Sequence, residues 1–340
     1  MYSIKPITDK QLWTNFLLQI NANTFLQSWG WIEFNRRYGN KTWTLGLFKQ
    51  DKLVSVAFVL KLEAKRGRFL FCPHGPQFIN FSERELQIWS DFLKQLAKKE
   101  KCSFVRISPI QEDTSANQMI FKRCSFQPAP MHMHAERSVV LDLTLDLENL
   151  KAGFKKSLRA DIRKAEKLVK QKQLVVTSGQ AIDDEIYKVY EVTFTRGEFI
   201  PFSKQYLQNE LESFQQENSC DLIKVYYQNQ LVSWVLVIYF GSRAFYHQGA
   251  NFLIKGIPAP TLAQWQAIQL AKQRGCQSYD FWGVCKLDEV NHPWYNLSRF
   301  KRSFGGKEVV LLPAQDLVVN KIKYFPTWLI ETIRRKWRGF

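Results

Sequence analysis

The chain has 340 residues, and 48 lysines and arginines against 31 aspartates and glutamates give it a net charge of +17. That length is long for one core and suits two domains, while the apolar content is that of a folded chain. The longest apolar run, 231–240, is a strand length rather than a bilayer length, and Met1-Tyr2-Ser3-Ile4-Lys5-Pro6 has no leader pattern, so the expected compartment is the cytoplasm.

In chain order, Trp13, Phe16, Leu17 and Ile20 keep helical spacing over 8–20. Ser28 is placed to cap a helix that ends at Gly39. The runs 42–48 and 53–62 flank Lys49-Gln50-Asp51-Lys52 and predict a hairpin. A strand over 69–72 stops at Pro73-His74-Gly75-Pro76, an amphipathic helix covers 83–100, and a strand over 103–107 stops at Pro109. A strand over 139–143 closes the first half. The second half predicts a basic helix over 151–171 and a strand over 174–177. Two helices follow, over 183–194 and 203–215. Strands are expected over 222–227, 231–240 and 243–250, a helix over 258–274 and a strand over 278–282. Each half thus reads as helices, antiparallel strands, a helix and a strand. The expected fold class is α+β, with domains at 1–145 and 146–312 and a basic amphipathic helix in 313–340. That tail would pack on the first domain or on a membrane surface.

The charge is local. Residues 151–172 carry nine lysines and arginines against two acids, and 320–340 carry six against one. Lys156, Arg159, Arg163, Lys167 and Lys170 make one stripe, with Leu158, Ile162, Ala165 and Val169 as an apolar stripe beside it. Cations in line can follow an RNA backbone, and a solvated helix face is the plain alternative. In the C-terminal segment a helix is expected to start at Pro326 or Thr327, with Leu329, Ile330, Ile333 and Trp337 on one side and Arg334, Arg335, Lys336 and Arg338 in its last turns. Trp with cations on such a helix suits an anionic membrane surface. Docking on the protein's own core is the alternative.

Other chemistries lack their residues. Cys72, Cys102, Cys124, Cys220, Cys276 and Cys285 are scattered without a CxxC pair and read as small buried hydrophobes. His132 and His134 have no further close ligands, so no metal is expected. There is no nucleophile elbow, P-loop or dinucleotide glycine pattern. His247-Gln248-Gly249-Ala250 is the nearest approach to the pyrophosphate loop of acyl-CoA N-acyltransferases, and it lacks the second turn glycine. No cofactor is expected.

Several segments resemble one family in order along the chain. Thr24-Phe25-Leu26-Gln27-Ser28-Trp29-Gly30-Trp31 resembles the N-terminal motif of the FemABX peptidoglycan-bridge aminoacyltransferases. So do Pro73-His74-Gly75-Pro76, Leu141-Asp142-Leu143 before Lys156-Ser157-Leu158-Arg159-Ala160-Asp161-Ile162-Arg163-Lys164-Ala165, and Tyr279-Asp280-Phe281-Trp282-Gly283-Val284. Phe300-Lys301-Arg302-Ser303-Phe304-Gly305-Gly306 is similar to the family's FK..FG motif.

The resemblance implies two tandem GNAT-like domains. It also implies transfer of an amino acid from aminoacyl-tRNA to an amine of a peptidoglycan precursor, lipid II or a UDP-linked muramyl peptide. Without a sustained heptad run the chain would be an armless type, and a monomer at the inner face of the plasma membrane is expected. By the same resemblance Lys301 is the lysine near the reacting acyl carbonyl, and Phe300 shapes its pocket. Arg196 meets acceptor phosphates and Tyr246 contacts the acceptor. Gln27 and Trp31, in the first motif, join the substrate-binding set, and the basic stripe takes the tRNA. Two positions depart from the family. Asn35 stands where a helix lysine can occur, so the phosphate role passes to Arg36 only as a hypothesis, since a shift of one residue turns it about 100°. Ser108 replaces an acid and cannot be a carboxylate base, so the acceptor amine would lose its proton to water or to a substrate group; Asp280 is a fallback, with backbone binding at a strand end as the equal alternative. The rival readings are another GNAT-fold N-acyltransferase acting on a cell-envelope acceptor and a non-catalytic RNA-binding protein.

Overall fold

The computed structural model describes residues 1–64, 67–197 and 201–338, so Glu198 and Phe199, beside Arg196, lie outside the described residues. The chain forms two compact units. Residues 1–137 and 309–340 make the first, and 138–308 make the second.

The first unit begins with β1 (Tyr2–Pro6), α1 (Lys10–Gln19), α2 (Trp29–Arg37), β2 (Thr42–Lys49), β3 (Lys52–Ala64), β4 (Gly67–Pro73) and β5 (Gln77–Phe78). It continues with α3 (Glu83–Lys99), β6 (Phe104–Ser108), α4 (Ser115–Arg123) and β7 (Phe126–Pro128). The β2–β3 hairpin turns through Gln50 and Asp51, both left-handed at φ 49° and 62°, as a two-residue turn between twisted strands requires. Helix α3 starts where the Ser82 hydroxyl accepts from the Glu85 amide at 3.3 Å. It lays Leu86, Trp89, Leu93 and Ala97 into the core with Val105, Ile107 and Leu317. The parallel strands β4 and β6 stay paired from Phe69↔Phe104 to Pro73↔Ser108.

The second unit follows with β8 (Arg137–Asp142), α5 (Leu147–Ala152), α6 (Lys156–Lys170), β9 (Leu174–Gly179), α7 (Asp184–Gly197) and α8 (Lys204–Gln215). Then come β10 (Cys220–Tyr227), β11 (Gln230–Phe240), β12 (Arg243–Asn251), α9 (Ala259–Gln273), β13 (Ser278–Gly283), α10 (Tyr295–Ser303) and β14 (Lys307–Val310). Its seven strands run β14-β8-β13-β12-β11-β10-β9. Leu158, Ile162 and Ala165 of α6 pack with Trp265 and Ile268 of α9 in its core. The chain then returns to the first unit with β15 (Gln315–Val318), which pairs with both β6 and β7, and α11 (Lys321–Arg338).

Four expectations shift. Strand β8, read as the end of the first half, pairs antiparallel with β13 because Val139 and Leu141 alternate into the second core. The unit limits accordingly fall at 137 and 308 rather than 145 and 312. On α6 the apolar stripe ends at Leu168, which packs on the core, while Val169 is exposed. Helix α11 starts at Lys321, with the Asn320 side chain accepting from the Lys323 amide at 3.0 Å, and Pro326 lies inside it. All six cysteines are free and buried. No described helix is long and apolar enough to cross a membrane.

Candidate active site

The second unit contains an opening that the first unit's sheet lacks. Strands β12 and β13 pair in parallel only over Arg243↔Ser278, Ala244↔Tyr279 and Phe245↔Asp280. Both strands run on, β12 to Asn251 and β13 to Gly283, without further mutual pairing. In the first unit β4 and β6 stay paired to the last residue of each strand. Where paired strands part, backbone groups and side chains face a wedge instead of each other.

Tyr246 is the first residue of β12 beyond the last pair. The next residue, His247, is a β-bulge: Val237 pairs Tyr246 while Leu236 pairs Gln248. A bulge re-aims a side chain, and here His247 Nε2 lies 2.8 Å from the carboxylate of Glu210 on α8, itself fully buried. On the other strand Asp280 accepts from the amide of Trp282 at 2.8 Å. That turn holds Trp282 in the left-handed region at φ 61°, costly for an aromatic residue and kept only where its surroundings fix it. The β8–β13 register shifts at the same place, between Asp280 and Gly283.

Lys301 reaches this wedge from the last turn of α10. It is buried, with 5 % exposure. Its Nζ donates to the Gly283 carbonyl at 2.8 Å and sits 5.3 Å from the centre of the Tyr246 ring. Burial pulls the amine down to about 7, against the opposing pull of Asp280. Burial also raises the Asp280 carboxyl, against Arg243, the Trp282 amide, Ser138 and Lys301, and raises the Tyr246 hydroxyl to about 12. A protonated amine has three donors. One is spent on Gly283, which leaves protons for an oxygen brought into the wedge.

The ring beneath the ammonium is therefore Tyr246. Phe300, expected to shape the pocket, packs half-buried against Phe304 with ring centres 5.3 Å apart. Gly305 and Gly306 follow at φ 76° and 90°. A Cβ on Gly306 would stand 2.6 Å from the Val140 carbonyl oxygen, so only glycine fits where the chain leaves α10.

Arg196, at the end of α7, donates to Asn251 through its carbonyl at 3.2 Å and its side-chain oxygen at 3.1 Å. The second unit thus holds Lys301, Tyr246, Asp280 and Arg196 on or beside the two strands that part. On α6, Lys156, Arg163, Lys167 and Lys170 are exposed and Arg159 is half-buried, donating to the Ala152 carbonyl at 3.4 Å.

The remaining expected residues belong to the first unit. Gln27 is fully buried, its amide donating to Pro73 O at 2.5 Å and accepting from Phe58 N at 2.8 Å. Those two backbone contacts make it a strut for the turn at 73–76. Trp31 packs edge-on against Phe25 and near His134. Arg36 is bound to Glu33 at 2.6 Å and lies 5.1 Å from the Trp29 ring, while Asn35 is buried against the Trp31 carbonyl. Ser108 is buried at the end of β6, with no partner for its hydroxyl among the described residues.

Sequence reasoning missed the Glu210–His247 pair and the Gly283 carbonyl. His247 and Gly283 both stand in runs the sequence marks out, but nothing local pairs them with Glu210, 37 positions away, or with Lys301, 18 positions away.

The sequence profile of the FemAB family matches residues 8–222 and 203–332. The chain belongs to the FemAB family. A solved structure of FemX superposes with a TM-score of 0.81 at 16% identity, over 97% of this chain and 100% of that one. A tandem GNAT protein from the clavulanic acid biosynthesis pathway superposes with a TM-score of 0.61 at 10% identity, over 94% of this chain and 99% of that one. No curated protein matches the chain significantly. At these identities the structural likenesses show the fold: two GNAT-like domains in tandem, as the resemblance implied. FemAB membership carries the coarse activity with it, a peptidoglycan-bridge aminoacyltransferase.

Proposed function

We propose that the second unit transfers an aminoacyl group from aminoacyl-tRNA to an amine on the stem peptide of a peptidoglycan precursor, lipid-linked or nucleotide-linked. The acceptor nitrogen attacks the ester carbonyl carbon and the C–N bond forms. The ester bond to the terminal ribose breaks, the ribose oxygen takes a proton, and the acceptor amine gives one up to water or to a substrate group. Charge builds on the carbonyl oxygen as the nitrogen attacks, and a cation already fixed there lowers the barrier.

Lys301 carries this reading, as a buried amine tied to Gly283 and Tyr246 where β12 and β13 part. Its protonated form stabilises the oxyanion. Arg196 and Tyr246 receive the acceptor, the former through phosphate oxygens, with Asp280 at the same opening. The α6 stripe follows the tRNA backbone, and its exposure supports that role. Within the first unit taken by itself, Gln27, Trp31 and Arg36 are the proposed substrate-binding residues, Gln27 acting indirectly by fixing the 73–76 turn.

Purified protein incubated with a charged tRNA pool and lipid II or a UDP-linked muramyl peptide tests the reading. A muropeptide heavier by one amino-acid residue supports it and names the donor. No mass gain with any charged tRNA on either acceptor would falsify it.

A further inference from the structure

Helix α11 is amphipathic in the opposite sense to a helix docked on a core. At about 100° per residue, Tyr324, Thr327 and Glu331 share one side, and all three are buried. That inward side is polar. Glu331 accepts from Arg106 at 2.8 Å, and the Tyr324 hydroxyl donates to Asp316 at 2.8 Å. The opposite side carries Ile322, Phe325, Leu329, Ile333 and Trp337, with exposures of 87, 58, 42, 47 and 89 %. The apolar residues expected to share a side do so, and that side faces away from the protein.

Exposed cations border this strip. Lys321 lies beyond one edge, and Lys323 and Arg334 lie beyond the other. The single acid within 320–340 is Glu331, which is turned inward and spent on Arg106. Among the described side chains, the exposed surface of α11 is thus an apolar strip with positive margins and no carboxylate. A second copy is a poor cover, because both margins are cationic and self-pairing of the strip sets like charges together. A layer with an apolar interior and anionic headgroups meets both chemistries at once, the side chains entering below the phosphates and the cations staying level with them.

We infer that α11 docks the protein on the surface of an anionic lipid bilayer, lying flat with Ile322, Phe325, Leu329, Ile333 and Trp337 inserted. The Arg106–Glu331 ion pair fixes the roll of the helix so that this side stays outward. The docking stands independently of the transfer reaction.

Sedimentation of the full chain with vesicles tests it, using phosphatidylcholine alone and phosphatidylcholine mixed with phosphatidylglycerol. The wild-type protein is expected to bind the anionic vesicles at least ~10-fold more tightly. The doubles Leu329→Glu/Ile333→Glu and Lys323→Glu/Arg334→Glu are each expected to lose ~10-fold or more of that binding. Trp337→Ser, at the most exposed site, is expected to weaken it with an unchanged melting temperature, which separates docking from folding. Equal binding to neutral and anionic vesicles overturns the inference. So do variants that bind like wild type, or a solution dimer that Leu329→Glu/Ile333→Glu converts to monomer. The readout uses no aminoacyl transfer, so it fails or succeeds apart from the catalytic reading.

Discussion

Lys301 donates its 2.8 Å hydrogen bond to the carbonyl of Gly283, the last residue of the strand that parts from β12. An amine on the final turn of α10 is thereby held at the mouth of the second sheet. Burial brings its pKa to about 7, so its charge changes near neutral pH. Removing it should separate binding from chemistry. Lys301→Ala is expected to lower kcat by ~10²–10³-fold and to leave KM for both substrates within about threefold. Steady-state kinetics read this directly; a rise in KM at constant kcat would place Lys301 in binding alone.

The charge state of Lys301 gives a pH test. On the proposed role, in which the protonated form stabilises the oxyanion, kcat at saturating substrate is expected to fall as pH rises through about 7. Lys301→Arg keeps a cation at every pH and is expected to lose this limb, whatever its absolute rate. A wild-type kcat that climbs through the same range would assign the neutral amine as the active form.

Stability should follow the same amine. The unfolded chain holds its lysine proton up to ~10.4, and the folded protein releases it near 7. Between those values the unfolded state binds more protons, so stability rises with pH above 7, by at most ~1.4 kcal/mol per pH unit. Below 7 both states are protonated and this contribution is flat. Lys301→Met is expected to remove the rise, as read from urea midpoints at pH 7 and pH 9.

The exit from α10 tolerates no side chain. A Cβ at Gly306 meets Val140 O at 2.6 Å with φ at +90°, and Gly306→Ala is expected to cost at least ~1–3 kcal/mol. Chemical denaturation monitored on the second unit checks this. A variant as stable as wild type would mean that the β8 backbone gives way.

In the first unit Arg106 is wholly buried and binds Asp316 through two nitrogens at 2.7 and 2.8 Å, as well as Glu331. Arg106→Met strands two buried carboxylates, which is expected to cost ~3–5 kcal/mol. It should also expose the C-terminal segment to limited proteolysis before the rest of the chain.

The basic stripe should act through charge alone. Replacing Arg163 and Lys167 by Glu is expected to weaken binding of any tRNA. The slope of log affinity against log salt should shrink by ~0.7–0.9 for each phosphate that is no longer neutralised. Fluorescence anisotropy at several salt concentrations reads both. An unchanged slope would return the stripe to a plain solvated face.

Local pattern determined much of this protein. Helical spacing located α3 and α6, Pro258, Pro260 and Gly275 bounded α9, the turn Lys49-Gln50-Asp51-Lys52 located the first hairpin, and ordered short motifs carried the family, because each depends on residues near one another in the chain. Tertiary pairing decided the rest. Nothing around Val139 tells that β8 joins the second sheet, since a strand's partner is set by which core its alternate side chains enter. Nothing in Phe300-Lys301 shows that the ring under the amine is Tyr246, 55 positions earlier in the chain. The periodicity of α11 revealed an apolar side but not its direction. That was fixed by Arg106, buried 225 residues away, whose need for Glu331 turned the polar side inward.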